Sequence, residues 1–192
     1  MHSSRSLYTT PIRRVRGLPA VALVAIAAAF AGYTGARGVV DVVRPTESAD
    51  RGAVIPDGKS IPATDVGHPA IARLDPDLRA ALAAATTAAK RDGIDLRVTS
   101  GWRSRAHQRQ LLDDAVARNG AHRARQLVAT PDRSAHVQGR AVDIGPTDAA
   151  YWMQVNGSRV GLCQTFANEV WHYERRVEPG GACPEPATDA SE

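Results

Sequence analysis

Apolar and polar positions fall into a few clear periods along the second half of this chain. Asp75-Pro76-Asp77 supplies a capping carboxylate, a proline that needs no helical N–H, and a second carboxylate at the positive end of a helix. A helix carrying Leu78 and Leu82 is predicted to start there and to stop near Gly93. Ile94, Leu96 and Val98 then alternate with Asp95, Arg97 and Thr99, the two-residue period of a half-buried strand. Ser104 can cap a second helix bearing Leu111, Leu112 and Val116, which ends at Asn119-Gly120, and a shorter helix is expected over 122–128. A strand over 139–144, a helix over 147–156 and a final strand over 169–174 complete the series. Helices come first and strands dominate later, which predicts an α+β fold around a small antiparallel sheet flanked by helices.

Four regions surround and include these elements. Residues 1–17 form a basic head, and residues 18–36 are an uncharged apolar run rich in Ala and Gly. Arg13, Arg14 and Arg16 precede that run, the order that holds an N-terminus in the cytosol and sends the rest of the chain across the membrane. Signal peptide and membrane anchor both fit the run, with Thr34-Gly35-Ala36 offering a small-residue cleavage site. Residues 37–70, with Pro45, Pro56, Pro62 and Pro69, show no sustained period and read as a linker or an arm wrapped on the domain. The compact domain is expected over 71–183, followed by a disordered tail over 184–192.

Charge changes the picture once the head is set aside. The net charge is +4, but the first 36 residues hold four arginines and no acid, leaving 20 basic and 20 acidic residues in the body. A nucleic-acid partner therefore loses its electrostatic support, and contact with a membrane is expected only through the N-terminal segment. Cys163 and Cys183 are the two cysteines, both in the part predicted to be exported. An even pair in an oxidising compartment reads as a disulfide. Its closed loop would stabilise the fold by about 3 kcal/mol on the chain-entropy model, and that loop contains Glu169 and His172.

Candidate chemistry concentrates in two stretches, Ser134-Ala135-His136-Val137-Gln138-Gly139-Arg140-Ala141-Val142-Asp143 and Glu169-Val170-Trp171-His172-Tyr173. Two imidazoles and one carboxylate make a three-ligand zinc set with a fourth position for water. A nearby carboxylate can complete the deprotonation of that water. Glu169 stands three residues before His172, an odd spacing for one strand face, so a bend between them or entry from the preceding loop is expected. On a strand, Gly139 and Ala141 would share a face with Asp143 and let a metal or substrate approach the backbone. His68, His107 and His122 read as ordinary surface or packing residues.

Ser-x-His-x-x-Gly-x-Ala-x-Asp followed by Glu-x-Trp-His, together with Ser100-Gly101-Trp102-Arg103-Ser104 and Gln108, resembles the VanY-type D-alanyl-D-alanine carboxypeptidases. These share a zinc-fold group with VanX dipeptidases, phage endolysin peptidases and the hedgehog domain. The resemblance spans about residues 96–175 and implies a zinc site in a central cleft, with Zn2+ on His136, Asp143 and His172. It implies Glu169 as base and proton shuttle, and Arg103 facing the substrate, where it can polarise the scissile carbonyl or hold a carboxylate. Ser134 and Gln108 match positions near the substrate, and Trp171 packs beside the site. Val170, Trp102 and Asp132 depart from the common pattern without removing a ligand.

The function so implied is that of an exported, monomeric zinc peptidase removing a C-terminal D-alanine from peptidoglycan stem peptides. Endopeptidase cleavage within the wall and a non-catalytic zinc-containing wall-binding module are the other readings. Intact Glu169 and Arg103 weigh against the last, and the absence of a Gly-x-Ser-x-Gly elbow removes a serine hydrolase.

Overall fold

Five strands, every pair antiparallel, form one sheet, and its middle strand is buried along its whole length. The computed structural model describes residues 53–191. In chain order its elements are β1 (Ile61–Pro62), α1 (Pro69–Ala72), α2 (Pro76–Arg91), β2 (Arg97–Ser100), α3 (Arg105–Leu127) and β3 (Ala141–Gly145). They continue with α4 (Thr147–Asn156), a 3-10 turn (Gly157–Val160), β4 (Leu162–Gln164) and β5 (His172–Arg175). The spatial strand order is β1-β2-β3-β5-β4. The fold is thus α+β, with the antiparallel sheet and flanking helices expected from the pattern.

Helix α2 starts where its cap dictates: Asp75 accepts from the backbone N–H of Asp77 at 2.9 Å and of Leu78 at 3.4 Å. Its inward face, Leu78, Ala81, Leu82, Ala85 and Ala89, joins Val98, Val142, Ile144, Met153, Leu162 and Tyr173 in one core. Burying a leucine or isoleucine side chain in such a core stabilises by about 1.5–3 kcal/mol, so this layer fixes the sheet from behind. Tyr173 is fully buried and donates its hydroxyl to the Ala150 carbonyl at 2.7 Å, tying β5 to α4.

Several boundaries differ from the sequence reading, each for a tertiary reason. Ile94–Asp95–Leu96 keep the alternation of burial but have no ladder partner, because pairing with β3 begins only at Arg97. The two helices predicted on either side of Asn119-Gly120 are present, since the helical backbone of α3 is interrupted at Gly120 (φ 77°, ψ 159°), where the first ends and the second begins. Leu111 and Leu112 are only half-buried and Val116 is exposed, while Gln108, Ala115 and Ala124 are the buried positions of α3. Residues 53–70, expected within a linker or arm, contribute β1 to the sheet and the buried Ala53, Ala63 and Ala70. His68 caps α1, its Nδ1 accepting from the Ala70 N–H at 3.2 Å.

The tail over 184–191 is not disordered. Ala187 donates to the Thr165 carbonyl at 2.9 Å and accepts from Ala167 at 2.8 Å, and Asp189 and Ala190 are buried. Free backbone groups along the loop after β4 give it partners that no local sequence period reveals. Cys163 and Cys183 form a disulfide, with Cα atoms 5.6 Å apart. The apolar run over 18–36 lies outside the described residues, and among those described no helix is long and apolar enough to cross a membrane.

Candidate metal centre

Sheet register delivers the first two groups of the site. Asp143 on β3 and His172, the first residue of β5, are direct cross-strand partners. Their side chains meet with His172 Nδ1 3.2 Å from Asp143 Oδ1. His136 arrives from a turn rather than a strand. That turn closes through Gly139 N–H to the His136 carbonyl at 3.1 Å and Val137 N–H to Ser134 Oγ at 3.4 Å.

Gly139 sits in this turn at φ 71°, not on the strand face with Asp143, and a Cβ there would fall 2.6 Å from the Arg73 carbonyl oxygen. Its carbonyl accepts from Asp75 N–H at 2.8 Å. The glycine therefore serves the close passage of residues 73–75, and its expected role beside a metal is corrected. Gly101 does similar work, since a Cβ there would lie 2.2 Å from the Ala70 carbonyl oxygen. That approach turns the chain after β2 so that the Gly101 carbonyl reaches His136 Nδ1 at 2.8 Å.

The Gly101 contact makes Nδ1 the protonated nitrogen of His136 and leaves Nε2 as a lone-pair donor. On His172 the roles are reversed: Nε2 lies 3.2 Å from Glu174 Oε1, which leaves Nδ1 for the centre. Three potential ligand atoms then converge: His136 Nε2 is 3.1 Å from His172 Nδ1 and 3.3 Å from Asp143 Oδ1. Bonds of 2.0–2.1 Å at tetrahedral angles place neighbouring zinc ligands about 3.3 Å apart. The triangle fits such an ion without rearrangement, and among the described residues it is the one His/Cys/Asp/Glu group that could hold a metal.

Burial governs the electrostatics. It would by itself raise the Asp143 carboxyl, but the two imidazoles against it hold it well below the usual range. Burial, reinforced by the Arg103 guanidinium, pushes His136 down to about 4, so its imidazole is neutral and fit to ligate. Burial would also lower His172, but hydrogen bonds to Asp143 and Glu174 raise it to about 9 in the metal-free protein. A cation is thus favoured at this point, whether as a proton or as a metal.

Glu169 enters from the turn before β5, where its N–H bonds the Phe166 carbonyl at 3.2 Å and its carbonyl accepts from His172 N–H at 3.1 Å. This is the bend that the three-residue spacing calls for. The carboxylate comes within 3.7 Å of His172 Nδ1, and burial raises it to about 7. Arg103 lies on the loop between β2 and α3, with Nη2 3.0 Å from Ser100 Oγ and 3.5 Å from Asp143 Oδ2. Its Nε is buried without a hydrogen-bond partner.

Ser134 and Gln108 line the cleft but spend their hydrogen bonds on the fold. Ser134 Oγ donates to Gln108 Oε1 at 3.1 Å, and Gln108 Nε2 donates to the Ala129 carbonyl at 2.8 Å. Trp171 is 44% exposed on the rim, more open than a packing residue. Three contributors escape the sequence reading: Glu174, the Gly101 carbonyl and Ala190, which lines the cleft. Glu174 was detectable, since i and i+2 on one strand share a face with His172. A backbone carbonyl and a residue from the chain's far end carry no such signal.

Residues 71–177 match the family model VanY, D-alanyl-D-alanine carboxypeptidase. A D-alanyl-D-alanine carboxypeptidase of Enterococcus faecalis is 30% identical over 112 residues, covering 45% of this chain and 42% of that protein. The YodJ protein of Bacillus subtilis, a putative carboxypeptidase, is 33% identical over 88 residues, covering 39% of this chain and 32% of YodJ. This chain therefore spans less than half the length of these curated relatives. Among solved structures, a mutant VanY D,D-pentapeptidase from the VanB-type resistance cassette in complex with Zn(II) matches with TM-score 0.50 and 27% identity, over 53% of this chain and 71% of that one. VanYB in complex with D-alanine-D-alanine matches with TM-score 0.50 and 26% identity, over 53% of this chain and 70% of that one. A converging His-Asp-His triangle, a carboxylate beside it and a family match over more than half the chain agree: this protein belongs to the VanY D-alanyl-D-alanine carboxypeptidase family.

Proposed function

We propose that this protein is an exported zinc carboxypeptidase that removes the terminal D-alanine from peptidoglycan stem peptides. The observation that carries this reading is the 3.1–3.3 Å triangle of His136 Nε2, Asp143 Oδ1 and His172 Nδ1 with the Glu169 carboxylate beside it. Zinc held by those three atoms would supply a Lewis acid and a water acidified to a pKa of about 7. Glu169 takes the proton from the attacking water on its carboxylate and returns it to the leaving amine nitrogen. Its burial favours the protonated carboxyl that the first half of that transfer produces.

Arg103 holds the substrate. Arg103 lines the cleft, where its guanidinium can pair with a carboxylate or polarise a carbonyl. Gly101 and Glu174 fix the two imidazoles from outside, and Gln108 with Ser134 braces the His136 turn. Export rests on the basic head and apolar run over 1–36, and it puts the domain in the compartment where the wall and disulfide formation both lie.

The test is mass spectrometry of a synthetic stem pentapeptide incubated with the zinc-loaded protein. Release of one D-alanine is expected, with a C-terminally amidated peptide cleaved at least about tenfold more slowly through loss of the charge Arg103 recognises. Equal rates on both peptides would favour endopeptidase cleavage, and no cleavage of either would remove the reading.

A further inference from the structure

The chain after Cys183 crosses from one side of the cleft to the other. It pairs with the segment after β4 through the Phe166–Ala187 bridge. It then reaches the end of α3, where Ala190 N–H meets the Gln126 carbonyl at 3.4 Å and Arg133 Nη1 meets the Ser191 carbonyl at 3.2 Å. Asp189 folds the end of the strap by accepting from Ser191 N–H at 2.9 Å. Ala190, 7% exposed, lines the same cleft as His136, Asp143, Glu169 and His172. The family match ends at residue 177, short of the strap.

We propose that residues 184–191 are a wall of the substrate cleft, that Ala190 sets its size limit beside the metal centre, and that the Cys163–Cys183 disulfide anchors it. Backbone hydrogen bonds at Ala187 and Ala190, with the Arg133 guanidinium on the Ser191 carbonyl, hold the strap, and Ala190 is the strap residue that lines the cleft. Its anchor is tied to the centre as well: Cys163 on β4 is the cross-strand partner of Glu174, which holds His172. The disulfide thereby joins the start of the strap to the strand pair that orients a ligand. Substrate affinity then depends on the strap, whereas metal binding does not. This rests on the peptidase reading only for the identity of the substrate.

Three proteins test it beside the wild type: Ala190→Phe, a chain ended after Cys183, and the Cys163→Ser/Cys183→Ser double variant. All should bind one zinc. Ala190→Phe should raise KM for the pentapeptide about tenfold, the scale of a size mismatch in a pocket, with a smaller change in kcat. It should also slow zinc removal by 1,10-phenanthroline, while the shortened chain speeds that removal severalfold and the double variant does so to a lesser degree. The chelator assay needs no substrate, so it decides the wall even where the wild type cleaves nothing. Unchanged chelation rates in both Ala190→Phe and the shortened chain would overturn the proposal. Wild-type cleavage with an unchanged KM in Ala190→Phe would overturn the size limit and leave the peptidase reading intact.

Discussion

Asp143 and His172 reach the cleft from paired strands, whereas His136, Glu169 and Arg103 reach it from turns and a loop. The strand-borne pair is placed by the sheet: β3 is buried throughout, its register with β5 sets the two side chains face to face, and Glu174 on the same strand holds the His172 ring. The turn-borne groups each carry their own bracing. His136 has the Gly101 carbonyl and the Ser134–Gln108 pair, Glu169 has the Phe166 carbonyl, and Arg103 has Ser100. This contrast separates groups that the sheet itself aims from groups whose aim rests on separate braces, and among the latter His136 is assigned to the metal while Glu169 and Arg103 are assigned to turnover. A packed sheet holds ligand geometry without reorganising, while a braced turn can lose its functional group and keep its backbone.

Asp143→Ala is expected to have the largest effect. It removes a ligand and leaves two imidazoles facing each other, so zinc and activity should both be lost. Elemental analysis retaining one zinc per chain would break the contrast at its strongest point. Glu169→Gln should keep full zinc occupancy while turnover falls by roughly 10²–10⁴-fold, the usual contribution of a positioned acid–base group. Near-normal turnover in that variant would hand the proton to another residue.

Glu174→Gln tests the bracing of a strand-borne ligand and should weaken zinc about 10–100-fold, the usual effect of removing a group that orients a ligating histidine. Competition with a fluorescent chelator measures this, and an unchanged affinity would mean that β5 alone aims the ring.

The smallest effect is a pH slope in the metal-free protein. Burial holds Glu169 at about 7, above the roughly 4.3 of an unfolded glutamate. Between those values the folded state keeps a proton that the unfolded state has released, so this residue's contribution to stability falls as pH rises through the window. His136, lowered to about 4, contributes the opposite slope between about 4 and 6.5, and wild type and variant share it. The stability of wild type minus that of Glu169→Gln should therefore decrease from about pH 4.3 to about pH 7 in thermal or urea unfolding. A flat difference would show that Glu169 is solvated.

Local signals were legible in the sequence and tertiary ones were not. Asp75 and Ser104 cap their helices because a side-chain oxygen three or fewer residues from an orphan N–H is a local fact. Gly120 marks the kink in α3 for the same reason, since only its own φ is at stake. The strands expected to begin at Ile94, Gly139 and Glu169 begin later, because pairing with a distant partner, not alternation, decides where a ladder starts. Gly139 illustrates the limit: its spacing suggests a metal neighbour, yet it is backbone from residues 73–75 that needs the space. The grouping of His136, Asp143 and His172 was implied by the resemblance to the VanY-type family, while Glu174 required reading β5 as a face and Ala190 required the fold itself.

Zinc-edge anomalous diffraction from crystals of the zinc-loaded protein is the sharpest check on the ligand assignment that everything above depends on. One peak per chain is expected, about 2.0–2.2 Å from His136 Nε2, Asp143 Oδ1 and His172 Nδ1, with Glu169 outside bonding distance and Glu174 on His172 Nε2. A peak bonded to Glu169, or to His172 through Nε2 with Glu174 as a ligand, would contradict it.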